Sequence, residues 1–149
     1  IKYNCKDVLW LDAQEHKYVE EIGTSNAFFK IDGEVITAPL DSGTILPGIT
    51  RDSVIQLLKR WGVPVSERKL SIDEIEEASK NGKLEEIFAS GTAAVISPIG
   101  TLCVEGEDFV VGDGNVGPLA QKLYDNIYGM QTGKVEDYMG WVYPLGLKA

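Results

Sequence analysis

Apolar residues in the first quarter of the chain follow the pattern of short β-strands. Residues 8–11 form an apolar run between polar residues, which is typical of a buried strand, and residues 17–21 predict a second strand. Residues 27–31 and 34–38 flank Asp32-Gly33, a dipeptide that favours a two-residue hairpin turn. These segments together predict a small antiparallel meander.

Helical and strand-like patterns alternate in the middle of the chain. Residues 50–61 carry apolar side chains at helical spacing, so we predict a helix there. Residues 63–70 predict a strand, and residues 71–74 form a capping box that opens a second helix. Residues 85–88 resume an apolar pattern, and the small side chains of residues 89–92 then predict a turn.

Three further strands and one helix are predicted in the last third. The strands lie at residues 93–96, 101–104 and 109–111, and an amphipathic helix covers residues 119–127. The aromatic tail, residues 138–147, is expected to pack against the rest of the domain. Because strands and helices interleave, the sequence predicts an α/β or α+β domain with helices packed on strands.

Composition and charge narrow the class of protein. The chain has 149 residues, one domain's worth, of which 44% are apolar and 25% charged, an ordinary globular balance. With 23 acidic and 14 basic residues its net charge is −9, which argues against binding to the phosphates of nucleic acid. Apolar runs are too short to cross a membrane, so no membrane partner is expected. Cys5 and Cys103 form neither a disulfide framework nor a zinc motif, which indicates an intracellular protein.

Two loops are candidates for binding an anion. Residues 46–51 pass through Gly48 into a helix, and the exposed N–H groups of a first helical turn favour negative charge. The alternative is that Thr50 or Asp52 merely caps this helix. Residues 90–94 have small side chains that allow a ligand to approach the backbone closely, the alternative being an ordinary tight turn.

Three other features of the sequence are considered as binding sites, and none of them alone predicts one. The glycines of residues 112–117 have dinucleotide-binding spacing, but no apolar second strand carries the required acid, so we reject a dinucleotide site. Glu20 and Glu21 would point to opposite faces of a strand, leaving one carboxylate inward and in need of a partner; alternatively, both are solvated. His16 is the only histidine and is expected to be solvated, so no metal site is predicted.

Three blocks of the chain resemble the branched-chain amino acid aminotransferases, which are pyridoxal-phosphate enzymes of fold type IV. The blocks are VLWLDAQEHKYVEEIGTSNAFF, ITAPLDSGTILPGITRDSV and FASGTAAVISPIG. The resemblance implies a D-amino acid aminotransferase-like fold, with strands in a pseudo-barrel and packed helices. It also implies that residues 1–149 are most of the C-terminal large domain, without the family's N-terminal domain.

The resemblance assigns five positions to the pyridoxal phosphate. Glu21 would face the pyridine nitrogen and keep it protonated, with Thr24 beside it. Leu46 would pack against one face of the ring. Ile49 and Thr50 would hold the phosphate through their N–H groups and the Thr hydroxyl.

The small-residue loop takes further roles by the same resemblance. Thr92 matches a second phosphate contact, and Ala93 and Ala94 match backbone positions that receive the substrate carboxylate. The pair of redox-active cysteines found in some animal members would fall at Ala94 and Ser97, which favours a bacterial-type enzyme.

The lysine that bonds covalently to the cofactor in this family has no counterpart here. In the family it lies further upstream than the twenty residues that precede Glu21, and Lys2, Lys6 and Lys17 are not in its motif. No catalytic residue is therefore assigned in this chain, and we expect the chain alone to be inactive.

The resemblance implies a transaminase that moves the amino group of leucine, isoleucine or valine to 2-oxoglutarate. Amino acids and 2-oxo acids would be its partners, in a cytoplasmic homodimer or larger homo-oligomer. Two alternatives remain open at this point. One is a D-amino acid aminotransferase or aminodeoxychorismate lyase of the same fold, and the other is a non-catalytic scaffold domain that has lost the lysine.

Overall fold

The computed structural model describes residues 5–143 and 145, which form nine strands and three helices. In chain order these elements are β1 (Leu9–Leu11), β2 (Val19–Ile22), β3 (Ser25–Ile31), β4 (Glu34–Thr37), α1 (Ile49–Arg60), β5 (Val65–Glu67), α2 (Ile72–Lys80), β6 (Leu84–Gly91), β7 (Val95–Ile99), β8 (Thr101–Val104), β9 (Glu107–Val110) and α3 (Pro118–Gln131). The mixed α and β fold predicted from the sequence is confirmed.

β3 is the central strand of a seven-stranded sheet. β6 pairs with one edge of β3 along its length, while β2 and β4 share the other edge, β2 at its start and β4 towards its end. β1 extends the sheet beyond β2, and β7 pairs with β6. β5 runs parallel to β4, which requires a crossover connection, and α1 supplies it. β8 and β9 form a separate two-stranded ribbon.

Helices cover both faces of the sheet, so its central strands are apolar on both sides. Phe28 and Phe88 stack at 5.1 Å between ring centroids in the core that includes α1 and α3. Phe29 and Ile87, one residue further along β3 and one back along β6, lie in the other core, which includes α2. This alternation follows from the two-residue period of a strand. Because both faces are covered, residues 27–31 are all apolar except for Lys30.

The carboxylate of Asp12 organises the connection between β1 and β2. It accepts hydrogen bonds from the backbone N–H groups of Tyr18 (2.7 Å), Glu15 (2.6 Å) and Lys17 (2.9 Å). These donors, that of Tyr18 first, hold the pKa of Asp12 well below its usual range. The connection is therefore closed by one side chain, with the exposed His16 at its tip.

Most of the predicted elements are confirmed within a few residues, but the bounds predicted for the turn at residues 89–92 and for the strand at residues 63–70 are wrong. The turn predicted at residues 89–92 begins too early, because β6 continues through Ala89 and Ser90 to Gly91. β6 has hydrogen-bonded neighbours on both edges, and this pairing outweighs the weak strand preference of small residues. The turn itself is formed by residues 92–94. The strand predicted at 63–70 is also shorter than expected.

Part of the aromatic tail packs against the core as predicted. Tyr138, Met139 and Trp141 contact the core of α1 and α3. Tyr143 and Leu145 are exposed, while Pro144 and residues 146–147 lie outside the described residues.

The N-terminus of α3, at the end of the glycine motif, is occupied by an acid. Glu86 is only 5% exposed, and its carboxylate accepts hydrogen bonds from the N–H groups of Leu119 (3.0 Å) and Ala120 (2.9 Å). The carboxylate also occupies the space of a side chain at Gly117, the residue before α3. A phosphate at this helix end would meet a carboxylate, which supports the rejection of a dinucleotide site.

Two further features bear on membrane and metal binding. Of the three helices in the part of the chain that the structure describes, none has the length and apolar character needed to cross a bilayer. Within residues 5–143 and 145, no three His, Cys, Asp or Glu side chains come together as a metal site would require.

Candidate functional site

Glu20 and Glu21 on β2 both contact the loop of residues 39–48. Glu21 Oε1 accepts a hydrogen bond from the backbone N–H of Leu46 at 3.1 Å. Glu20 Oε1 accepts one from the hydroxyl of Thr44 at 2.6 Å. Both residues are half-buried and both hydrogen bonds are exposed to solvent, so each carboxylate has a partner in the loop and remains in contact with water.

Asn26 on β3 joins the loop to the sheet. The residue is 5% exposed and lies opposite Glu21 on β2 and opposite Ser90 on β6. Its Nδ2 donates to the carbonyl of Leu46 at 2.8 Å and reaches Glu21 Oε1 at 3.4 Å. Its Oδ1 lies against Gly48, the residue before α1. The loop that leads into α1 therefore lies on one side of Asn26 and the end of β6 on the other.

The N-terminus of α1 has no side-chain cap. Gly48 is the N-cap residue, and its N–H turns back to the carbonyl of Leu46 at 2.8 Å. The side chain of Asp52 accepts from Gln56 further along the helix. The alternative that Thr50 or Asp52 merely caps this helix is therefore wrong.

Apolar side chains project outward on both sides of Gly48. The side chain of Leu46 is 69% exposed and that of Ile49 is 86% exposed. An open cavity of about 310 Å³ lies at this end of α1. The residues that line it are Leu40, Pro47, Gly48, Ile49, Arg51 and Asp52.

Arg51 holds the start of the same loop in place. Its side chain is 4% exposed, and Nη2 donates to the carbonyl of Ala38 at 2.8 Å and to Glu67 Oε2 at 2.7 Å. Its Nε is buried without a partner among the described residues. A buried cation in the first turn of α1 therefore joins this helix to the ends of β4 and β5.

The small-residue loop connects β6 to β7 next to Asn26. Thr92, Ala93 and Ala94 form its exposed turn. Ser90, at the end of β6, has a buried hydroxyl that finds no partner among the described residues. Val95, the residue after the turn, has a φ of +60°, which is a strained value for a β-branched residue. Strained backbone of this kind clusters at binding and active sites.

The predicted site residues fall into three neighbouring segments. Glu21 lies on β2, and Thr24 is exposed in the turn that follows it. Leu46, Ile49 and Thr50 lie around the start of α1, and the turn after Ser90 carries the remaining three residues. Asn26 touches the first two segments directly and pairs with Ser90, which lies on β6 just before the third.

The three segments lie in a part of the chain that matches a known protein family. Residues 1–102 match the family model described as Amino-transferase class IV, so the match includes all three segments. The chain belongs to this family.

Within this family, the chain is similar to branched-chain amino acid aminotransferases. The chain is 57% identical over 134 residues to "Branched-chain-amino-acid aminotransferase 2" of Bacillus subtilis (strain 168), a match that covers 90% of the chain and 37% of that relative. The crystal structure of the Escherichia coli branched-chain amino acid aminotransferase superposes with a TM-score of 0.75 at 35% identity, covering 94% of this chain and 42% of that one.

A third relative carries a bound ligand. It is the T.th. branched-chain amino acid aminotransferase complexed with N-(5'-phosphopyridoxyl)-L-glutamate, which has a TM-score of 0.73 and 31% identity. The match covers 93% of this chain and 42% of that one. The chain therefore spans about two fifths of the length of the relatives it matches.

Three residues of the site received no role of their own in the sequence analysis, although Arg51 and Ser90 lie within its two candidate loops. Asn26, Arg51 and Ser90 are polar and buried, and two of them retain buried atoms without partners among the described residues. A signal for Asn26 does exist, since an amide inside the apolar strand 25–31 must find hydrogen-bond partners. Arg51 gave no such signal, because a helical arginine is ordinarily solvated.

Proposed function

We propose that this chain is the cofactor-binding part of a branched-chain amino acid aminotransferase. The whole enzyme would transfer the amino group of leucine, isoleucine or valine to 2-oxoglutarate. The observation that carries the proposal is the contact of Glu21 with Leu46, which brings a carboxylate against the loop that opens α1. The 57% identity to a branched-chain enzyme supports this substrate class over the other activities of the fold.

Pyridoxal 5'-phosphate is the cofactor we propose, and the residues present fit it. The ring nitrogen requires an acid, and Glu21 supplies one beside the loop. The phosphate requires backbone N–H donors and hydroxyls, and the N-terminus of α1 has no side-chain cap. The buried hydroxyl of Ser90, without a partner among the described residues, is a further polar atom at the end of β6.

The chain's own residues would bind and orient the cofactor. When bound, pyridoxal phosphate supplies an electron-accepting ring for cleavage of the substrate Cα–H bond. The negative charge of Glu21 would hold a proton on the ring nitrogen. The exposed side chain of Leu46 would cover one ring face. Ile49 and Thr50 would bind the phosphate through N–H groups, and Thr50 also through its hydroxyl.

The β6–β7 turn would complete the site. Thr92 would add a second hydroxyl to the phosphate, and the backbone of Ala93 and Ala94 would receive the substrate carboxylate. Their exposure and small side chains favour such an approach. Thr24, in the exposed turn after β2, would support the ring beside Glu21.

The proton transfers of the reaction would need a lysine from another segment. A base must lie within hydrogen-bond reach of the proton that it removes. No lysine of this chain matches the position of the family's cofactor-bound lysine, so residues 1–149 would be most of a C-terminal large domain and inactive alone. Assembly as a cytoplasmic homodimer or larger homo-oligomer belongs to the same proposal and rests on the family resemblance.

The experiment is a titration of the chain with pyridoxal phosphate, followed by absorbance, borohydride trapping and mass spectrometry. We expect saturable binding that weakens about tenfold or more in Glu21→Gln, since the variant loses a charge-assisted contact. We also expect no stoichiometric adduct and no conversion of leucine. An adduct on one lysine with turnover would contradict the inactive-chain proposal, and the absence of any binding would contradict the cofactor assignment.

A further inference from the structure

We propose that Asn26 is the positioning residue that fixes the distance between the ring end and the phosphate end of the cofactor site. The proposal rests on the function proposed above and names a residue to which no cofactor contact has been assigned. Its basis is the set of contacts around one buried amide. These contacts involve Glu21, Leu46 and Gly48.

The orientation of the Asn26 amide is determined by its partners. The carbonyl of Leu46 and the carboxylate of Glu21 can only accept hydrogen bonds, so the nitrogen of the amide must face them. The amide oxygen then lies against Gly48. One side chain thus touches the acid, the loop and the residue that precedes the helix.

The backbone of Leu46 is held at both of its polar groups. Its N–H donates to Glu21 at 3.1 Å, and its carbonyl accepts from Asn26 at 2.8 Å and from the N–H of Gly48 at 2.8 Å. The side chain of Leu46 is left free to project outward. The loop therefore cannot shift relative to Glu21 without breaking a hydrogen bond of Asn26 or Glu21.

Gly48 is a glycine because of Asn26 and not because of its own backbone. Its φ of −66° and ψ of 137° suit any residue, and helix N-caps usually carry Ser, Thr, Asp or Asn. A Cβ at this position would collide with Asn26 Oδ1. The close approach of the amide therefore excludes a capping side chain at this position and leaves the first turn of α1 open to a phosphate.

A ligand that must reach both ends of the site makes this spacing important. The ring and the phosphate of one molecule must meet Glu21 and the start of α1 at the same time, and small misplacements at a binding site are costly. Inorganic phosphate needs only the helix end. Asn26 should therefore matter much more for pyridoxamine 5'-phosphate than for inorganic phosphate.

The first test compares these two probes by calorimetry on the chain and its variants. We expect Asn26→Ala to weaken pyridoxamine 5'-phosphate binding about tenfold or more while inorganic phosphate affinity changes by less than about threefold. The matched control is Asn115→Ala, an exposed asparagine in the loop before α3, which should change neither affinity. A merely structural role would lower both affinities by the same factor, and that result would overturn the proposal.

The second test asks whether Asn26 and Gly48 are coupled, without any cofactor. We expect Gly48→Ala to lower the thermal midpoint of the chain with Asn26 present, and to have little further effect in an Asn26→Ser background, where the clash is removed. Additive effects of the two substitutions would overturn the proposed contact. If the unaltered chain binds neither probe, the proposed function fails; if it binds both and the selectivity is unchanged in Asn26→Ala, only this inference fails.

Discussion

At the scale of single residues, two carboxylates lie near the starts of α1 and α3 and leave these two helix ends in different states. Glu21 contacts the loop before α1, and the buried Glu86 accepts two N–H groups at the start of α3. The N-terminus of α1 is left without a side-chain cap, whereas a side chain from β6 fills the N-terminus of α3. The first arrangement suits an external anion and the second excludes one.

Replacing Glu86 tests the role of a buried acid as a cap. We expect Glu86→Ala to lower the free energy of unfolding by about 1–3 kcal/mol, because two buried N–H groups lose their acceptor. The measurement is urea denaturation followed by circular dichroism. Asp125→Ala, which removes an exposed acid on α3, should change stability by less than about 0.5 kcal/mol. Equal losses in the two variants would show that Glu86 contributes no more than a surface charge.

Elements with strong local signals were predictable, and elements defined by partners were not. The capping box of residues 71–74 correctly predicts α2, because Ser71 Oγ accepts from the N–H of Glu74 at 3.1 Å. The other half of the motif is not used, since the Glu74 carboxylate instead pairs with Arg68 at 2.6 Å. By contrast, Ala89 and Ser90 look like turn residues, and only pairing with β3 and β7 makes them a strand.

The cap of α2 can be tested with two serines at opposite ends of the helix. We expect Ser71→Ala to destabilise the chain by about 1 kcal/mol through loss of the bond to the N–H of Glu74. Ser79→Ala, in the last turn of the same helix, should be neutral or slightly stabilising, because alanine has the higher helix propensity. Thermal denaturation of both variants provides the measurement. If Ser71→Ala were as well tolerated as Ser79→Ala, the cap would have no energetic role.

At the scale of the whole molecule, the site depends on strands distant along the chain. The family resemblance could indicate Glu21, Thr50 and Thr92 because their sequence blocks are contiguous and distinctive. It could not indicate that Asn26, which lies in the first block, contacts Leu46 in the second and pairs with Ser90 in the third, since these contacts follow from the fold. The buried position of Arg51 likewise depends on Ala38 and Glu67, which no local pattern associates with it.

Phe28 and Phe88 connect this site to the core, and their stack offers a test of that dependence. Each ring lies two residues from a site residue on the same face of its strand: Asn26 precedes Phe28 on β3, and Ser90 follows Phe88 on β6. Both rings are fully buried and nearly parallel, with an interplanar angle of 8°. Loss of one ring should therefore weaken the pairing of β3 with β6, where Asn26 meets Ser90.

We expect Phe88→Ala to lower the free energy of unfolding by about 3–5 kcal/mol, a large part of the roughly 5–15 kcal/mol typical of a domain. Phe88→Leu keeps most of the apolar volume and should cost much less. Phe109→Ala, on the separate β8–β9 ribbon, serves as the control for losing a less buried ring. Urea denaturation gives the stabilities, and pyridoxamine 5'-phosphate affinity measured on the folded fraction reports the site. If affinity survives unchanged in folded Phe88→Ala while stability falls, the core supports the fold without adjusting the site, and the coupling between them is absent.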